Sequence, residues 1–197
     1  MQPVSNMTTI PIFPLQGLVL FPHTHLPLHI FEPRYVKMVR DALASDNYIA
    51  TANIKHADDQ TYFQKPPINK IITHARIIDF EELPDNRFYI LLEGICRCRI
   101  VEELPTHPYR MAKCETITDD FPPHEKQNVQ KARSDLMELI HKLAQLSEDL
   151  QERLKNLENT HLHPGIIADV ISSLVVSDPY ARQSILEENN ILRRIQK

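Results

Sequence analysis

The sequence predicts an α+β protein in which a β-rich unit over residues 1–121 is followed by a helical bundle subdomain over residues 122–197. Three observations lead there. Aromatic residues crowd the front, with all seven Phe and five of the six Tyr before residue 122. In that half, short apolar runs bounded by turn residues read as strands. Past Phe121-Pro122-Pro123 the apolar spacing changes from two to between three and four, the period of a helix.

From Ile10 the chain reads IPIFPLQGLVLFPHTHLPLHIFEP, and six of its 15 prolines fall within the first 35 residues. Proline fixes φ and cannot donate to a ladder, so this segment is expected to form edge strands, bends and short extended pieces rather than a central sheet. A helix then starts abruptly. Pro33 suits the first helical position, Glu32 sets a negative charge at the positive end of the helix dipole, and Tyr35, Val36, Val39, Ala42 and Leu43 form one apolar stripe. Strands are expected over Tyr48 to Ile54, Ile71 to Leu83, Phe88 to Val101 and Arg110 to Ile117, with Leu83-Pro84-Asp85-Asn86-Arg87 carrying the turn chemistry of a hairpin between the second and third.

In the second half, Val129, Ala132, Leu136, Leu139, Leu143, Leu146 and Leu150 predict one seam of a long helix from His124 to Glu158, interrupted at Arg153. Pro164 begins a second helix with Ile166, Ile167, Val170, Ile171 and Leu174 inside. Asp178 and Pro179 cap and start a third, and Asn189 or Asn190 starts a last short turn.

With 197 residues and 42% hydrophobic content, the chain has enough apolar surface to bury a real core. No run reaches the roughly 18 to 20 apolar residues of a membrane span. The start lacks a basic region followed by an apolar one, and three cysteines make no disulfide framework, so a cytoplasmic protein is expected. A net charge of −4 gives no global attraction to nucleic acid or acidic membranes. Gly17, Gly94 and Gly165 stand too far apart for any phosphate-cradling loop, and no GxSxG, HExxH or SxxK arrangement occurs. No catalytic residue, cofactor or metal site is expected.

Three separated segments resemble, in the correct order, the Lon amino-terminal domain, the substrate-recognition module of Lon proteases. The first is Pro11 to Leu15, Val19 to Pro22 and Leu26 to Tyr35, reading PIFPL, VLFP and LPLHIFEPRY. The second is Leu92 to Ile100, of the form L-x-G-x-x-R-x-R-I, and the third is Asp178, Gln183, Leu186, Glu187 and Arg193 near the end. His23 departs from the family's usual glycine after FP. The resemblance implies a PUA-like β pseudobarrel with one helix, present as a recognition domain without ATPase motor or peptidase.

Several clusters of reactive residue types receive structural readings. His23, His25 and His29 read as surface or loop histidines, since no cysteine or carboxylate cluster accompanies them. Cys96 and Cys98 are expected to face the core and Arg97 and Arg99 the solvent, because metal and redox pairs usually take the spacing CxxC. Arg97, Arg99, Arg76, Lys70, Arg110 and Lys113 form an ordinary charged face balanced by Glu81, Glu82, Glu93, Glu102 and Glu103. In FEPRY, Glu32, Pro33 and Arg34 fix the strand-to-helix turn while Phe31 and Tyr35 enter the core. The candidate residues for contact with a protein ligand are Phe31, Tyr35, Arg97 and Arg99. The expected function is non-catalytic binding of unfolded polypeptide or of a specific protein partner, with self-association through the long helix as a further mode. The alternative is an RNA-binding PUA-like module.

Overall fold

The computed structural model describes residues 7–55, 65–105, 108–145, 151–152 and 162–197. The chain divides into two units, Met1–Thr118 and Asp119–Lys197. The described part of the first holds β1 (Met7–Leu15), β2 (His25–Ile30), α1 (Pro33–Leu43), β3 (Tyr48–Asn53), β4 (Ile71–Glu82), β5 (Phe88–Leu104) and β6 (Arg110–Ile117). The strands run in the order β2-β5-β4-β3-β1-β6, and β6 returns to pair with β5. Five strands therefore close on themselves. Strand β5 makes this possible by changing partner along its 17 residues, with Phe88 to Glu93 on β2 and Arg97 to Leu104 on β6.

Strand β1 differs from expectation, because it lies between β3 and β6 although it contains Pro11 and Pro14. The reason is a switch of partner at Ile12. Met7 to Ile12 pair antiparallel with β6, and Ile12 to Leu15 pair parallel with β3. Each half carries a ladder on one side, so a proline can turn its missing N–H to the other. Strand β2, with Pro27, pairs among the described residues only with β5 and is an edge, as the proline pattern predicts.

Helix α1 has Pro33 in its first turn, and Tyr35, Val36, Met38, Val39 and Ala42 on its buried face. That face packs on Ile30, Ile49, Ile77, Phe88, Ile90 and Leu92 to make one core, while a second core gathers Ile12, Ala50, Ile72, Cys98, Ile100 and Cys114 from the other strands. The hairpin turn closes where predicted, Leu83 N–H donating to the Arg87 carbonyl at 2.8 Å with Asn86 at φ 62°. His23, where the family has glycine, takes up the left-handed conformation itself, at φ 62°. Its N–H donates to the Gly94 carbonyl at 2.7 Å, and Gly94 N–H to Thr24 O at 2.9 Å. A side chain at Gly94 would collide with the Phe21 carbonyl, so the 17–24 segment can lie against β5 only because position 94 has none.

In the second unit a 3-10 turn (Pro123–Glu125) leads into α2 (Lys126–Ala144), followed by α3 (Pro164–Val175), α4 (Pro179–Leu186) and α5 (Ile191–Gln196). The cap residues are those the sequence predicts: the Asp178 carboxylate accepts from Ala181 N at 2.7 Å, and Asn190 Oδ1 from Arg193 N at 3.0 Å. The buried stripe of α2 departs from the leucine seam. Val129, Ile140 and Ala144 are buried, with Leu136 and Met137 partly so, whereas Leu139 is 54% exposed. Buried positions recur at the true helical period, from which a spacing of 3.5 drifts by about 20° per heptad. The Leu143 side chain, and Leu146, Leu150 and Arg153 to Glu158, lie outside the described residues.

The second unit also buries a charge cluster that sequence reading missed. Arg194, on α5, is 2% exposed and meets Asp119 at 2.6 Å and Asp169 of α3 at 3.6 Å. Gly165 gives this cluster room, since a Cβ there would press on Asp119 and Arg194.

Candidate functional site

The strand-to-helix turn after β2 presents an aromatic row. Phe31 is 62% exposed and Tyr89 50%, and the His29 ring lies between them, with centroids 5.6 Å from Phe31 and 4.8 Å from Tyr89. Register builds this row: His29 on the edge strand pairs directly with Tyr89 on β5, so both side chains project on one face. Phe31 thus does not enter the core as the sequence reading expected. The main chain turns after Ile30, which is 1% exposed, and Phe31 points outward.

Beside the row, Phe31 together with Pro33, Val36, Lys37 and Arg40 of the helix faces Asp85 and Asn86 of the hairpin turn across a groove. Arg40 fixes one wall by donating to Glu82 at 2.6 Å and to Asn86 Oδ1 at 2.9 Å, with its guanidinium 5.5 Å from the Phe88 ring. A second cleft lies on the other side of α1. Pro14, Tyr35, Pro66, Leu104, Pro105 and Tyr109 supply its apolar lining, and Arg34, Lys65 and Arg110 its charges. Tyr109 OH donates to Asp41 at 2.7 Å. That bond and the one from Lys37 hold the Asp41 carboxyl below its ordinary value, while burial and the Asp41 charge push the Tyr109 phenol up to about 12. Burial alone would raise Glu103, but Lys65 at 2.9 Å and Arg110 at 2.9 Å outweigh it and hold the carboxylate below its usual range.

The four residues singled out in the sequence are not brought together. Phe31 stands at the β2 end of the sheet. Tyr35, 8% exposed, is a core residue packed on Phe13 at 4.5 Å under the Arg34 guanidinium at 4.7 Å. Arg97 and Arg99 lie on the opposite half of β5, in the stretch paired with β6. Arg99 is exposed and bonded to Glu115 at 2.9 Å, but Arg97, expected to face solvent, is 4% exposed. It pairs with Thr73, whose hydroxyl donates to the Leu20 carbonyl at 2.5 Å, so the 17–24 segment covers that face. Of the other cations in the expected basic face, Lys113 pairs with Glu102 at 2.7 Å and Arg110 with Glu103 through two forked bonds.

Opposite Arg97, the two thiols meet a histidine. Cys96 pairs across the ladder with His74, and their Sγ and Nδ1 are 4.0 Å apart, while Cys96 and Cys98 Sγ are 3.9 Å apart. Cys98 is buried as expected, whereas Cys96 and His74 are half-buried. The Cys98 thiol bonded to Cys96, and His74 next to it, hold the Cys96 thiol well below its ordinary value, and the same contact and burial push Cys98 up. The sequence could have shown this grouping, because His74 and Cys96 are equidistant from Asp85 at the centre of the predicted hairpin turn.

The first unit thus carries a closed small sheet, an exposed aromatic row and a groove on either side of one helix. The chain belongs to the family of ATP-dependent protease La (LON) substrate-binding domains, whose model matches residues 9–197. It is 25% identical over 189 residues to the Lon protease of Desulfosudis oleivorans and 29% identical over 189 residues to that of Dictyoglomus thermophilum. These matches take in 96% and 95% of the chain but 23% of each relative, so it spans about a quarter of their length. Two solved structures share the fold. The Lon N-terminal domain protein of Xanthomonas campestris superposes with a TM-score of 0.65 at 21% identity, and the N-terminal domain of the Mycobacterium avium complex Lon protease with 0.73 at 12%. Each alignment covers 96% of this chain and 95% of the other. Membership supports a role in substrate recognition. No described helix is long and apolar enough to cross a membrane.

Proposed function

We propose that these residues form a non-catalytic recognition module that holds exposed apolar segments of unfolded polypeptides. The observation that carries this reading is the Phe31–His29–Tyr89 row on the unshared edge of the sheet. Large exposed aromatic groups gain about 25 cal/mol per Å² when covered by an apolar partner. The edge of β2 adds main-chain donors and acceptors that a strand of any sequence can use, apart from Pro27, and such a mode tolerates many clients. Pairing of Arg99, Lys113 and Arg110 with carboxylates favours this over binding of RNA, which needs cations free to meet phosphates.

Fluorescence anisotropy with a labelled, reduced and carboxymethylated model protein tests the proposal. Phe31→Ala and Tyr89→Ala change exposed side chains, so the fold should be kept while affinity falls about tenfold for each, the size of an aromatic anchor's loss. Equal affinity of wild type and both variants would remove the row from the binding surface. Selective capture of one folded protein, with no affinity for the unfolded probe, would replace the general holder by a dedicated adaptor.

A further inference from the structure

The two thiols and the imidazole on the β4–β5 ladder are placed as metal ligands are placed. For a tetrahedral zinc ion, bonds of about 2.3 Å to sulfur and 2.0 Å to nitrogen give edges of about 3.8 Å between sulfurs and 3.5 Å between sulfur and nitrogen. The observed separations are 3.9 Å for the sulfurs and 4.0 Å for Cys96 Sγ to His74 Nδ1, and all three ligating atoms lie within 4.8 Å of one another. Side-chain shifts of up to about 1.3 Å would bring the three atoms to these edges, leaving the fourth position of a tetrahedron for water.

The backbone fixes this geometry. Cys96 and Cys98 project from one face of β5, and direct pairing sets His74 opposite Cys96, so none of the three depends on a loop for its position. The Tyr48 ring backs the imidazole at 4.8 Å. His74 Nε2 is buried and has no hydrogen-bond partner among the described residues, so no bond at that nitrogen turns Nδ1 away from the thiols. His74 and Cys96 are half-buried and Thr116, next to the thiols, is exposed, which leaves a solvent approach to the cluster and room for water as a further ligand.

We propose that His74, Cys96 and Cys98 bind one thiophilic d10 cation, Zn²⁺ or Cu⁺. Two sulfurs and an imidazole suit these ions, whereas Mg²⁺ and Ca²⁺ require oxygen. The spacing C-x-C, which by itself argues against a site, is completed by a residue from the neighbouring strand. The site clips β4 to β5 when filled, independently of the recognition surface.

The test is Co²⁺ titration of the reduced, chelator-stripped chain, with Zn²⁺ displacement, and competition with a chromophoric chelator for Cu⁺. Saturation at one equivalent with a thiolate-to-cobalt charge-transfer band is expected, or one equivalent of Cu⁺ withdrawn from the chelator; which ion is held more tightly decides between the two. Cys96→Ser should abolish the band and His74→Gln should weaken binding by about tenfold or more. Cys114→Ala should change nothing, because that buried thiol lies outside the cluster. As a folding control, Zn²⁺ should raise the melting temperature of the wild type and leave that of Cys96→Ser unchanged. Absence of both the cobalt band and Cu⁺ competition, or binding that survives Cys96→Ser, overturns the proposal.

Discussion

At the scale of single residues, what lies across a ladder or over a sheet decides where a side chain goes. Arg97 alternates with two cysteines, and alternation alone puts it outside. The covering 17–24 segment puts it inside instead. His74 was hidden for the opposite reason, since strand registers are not usually trusted over eleven residues. Here one extra residue on each strand, Ile78 on β4 and Ile95 on β5, restores the simple register between the turn and Cys96. The Tyr109–Asp41 bond was equally unreadable, joining residues 68 apart, and it yields a prediction. Burial first, and the Asp41 carboxylate second, raise the phenol from 10.0 to about 12, which means that folding favours its neutral form. That contribution is complete below pH 10 and is lost as pH rises toward 12. Tyr109→Phe should lower stability by about 1 kcal/mol at neutral pH through the lost hydrogen bond. In urea titrations above pH 10 the wild type should then lose its advantage, because only it carries this group. A difference that stays constant to pH 11 would show that folding does not raise the Tyr109 phenol.

At the scale of elements, most of the pattern was legible. Strands β3 to β6 and α1 begin where turn residues, prolines and apolar periods say they should, and Asp178 and Asn190 cap the helices they were expected to cap. Proline chemistry misjudged β1, because a strand that changes partner midway behaves as two edges in succession. The α2 seam misled for a different reason: leucines spaced by three and four suggest a heptad, but a helix without a supercoil follows its own 3.6-residue turn. Ile140 then takes the buried place that Leu139 would hold in a coiled coil. Ile140→Ala should cost about 2–4 kcal/mol, and Leu139→Ala less than about 0.5 kcal/mol, as read by urea unfolding followed by circular dichroism. If the two cost the same, the leucine seam is covered by a second helix in solution, and sedimentation should then report a dimer.

At the scale of the whole molecule, the family was legible because its signature is spread over three ordered segments, whereas the recognition surface was not. Phe31 and Tyr89 are far apart in the chain and come to either side of His29 only through the β2–β5 register, and a signature residue such as Tyr35 serves the core. Charge acts at this scale too. The chain carries a net charge of −4, and Arg99, Lys113, Arg110 and Arg40 each face a carboxylate at hydrogen-bonding distance. A surface so neutralised has little to offer a polyanion, and an apolar edge loses nothing to screening. Affinity for an unfolded, carboxymethylated client should therefore change by less than about twofold between roughly 50 and 200 mM salt, since only exposed charges are screened over that range. An RNA-binding module that neutralised even three phosphates would lose about tenfold or more over the same interval. Measuring both ligands on one preparation separates the two readings, and a steep salt slope for RNA together with no client binding would assign the module to nucleic acid.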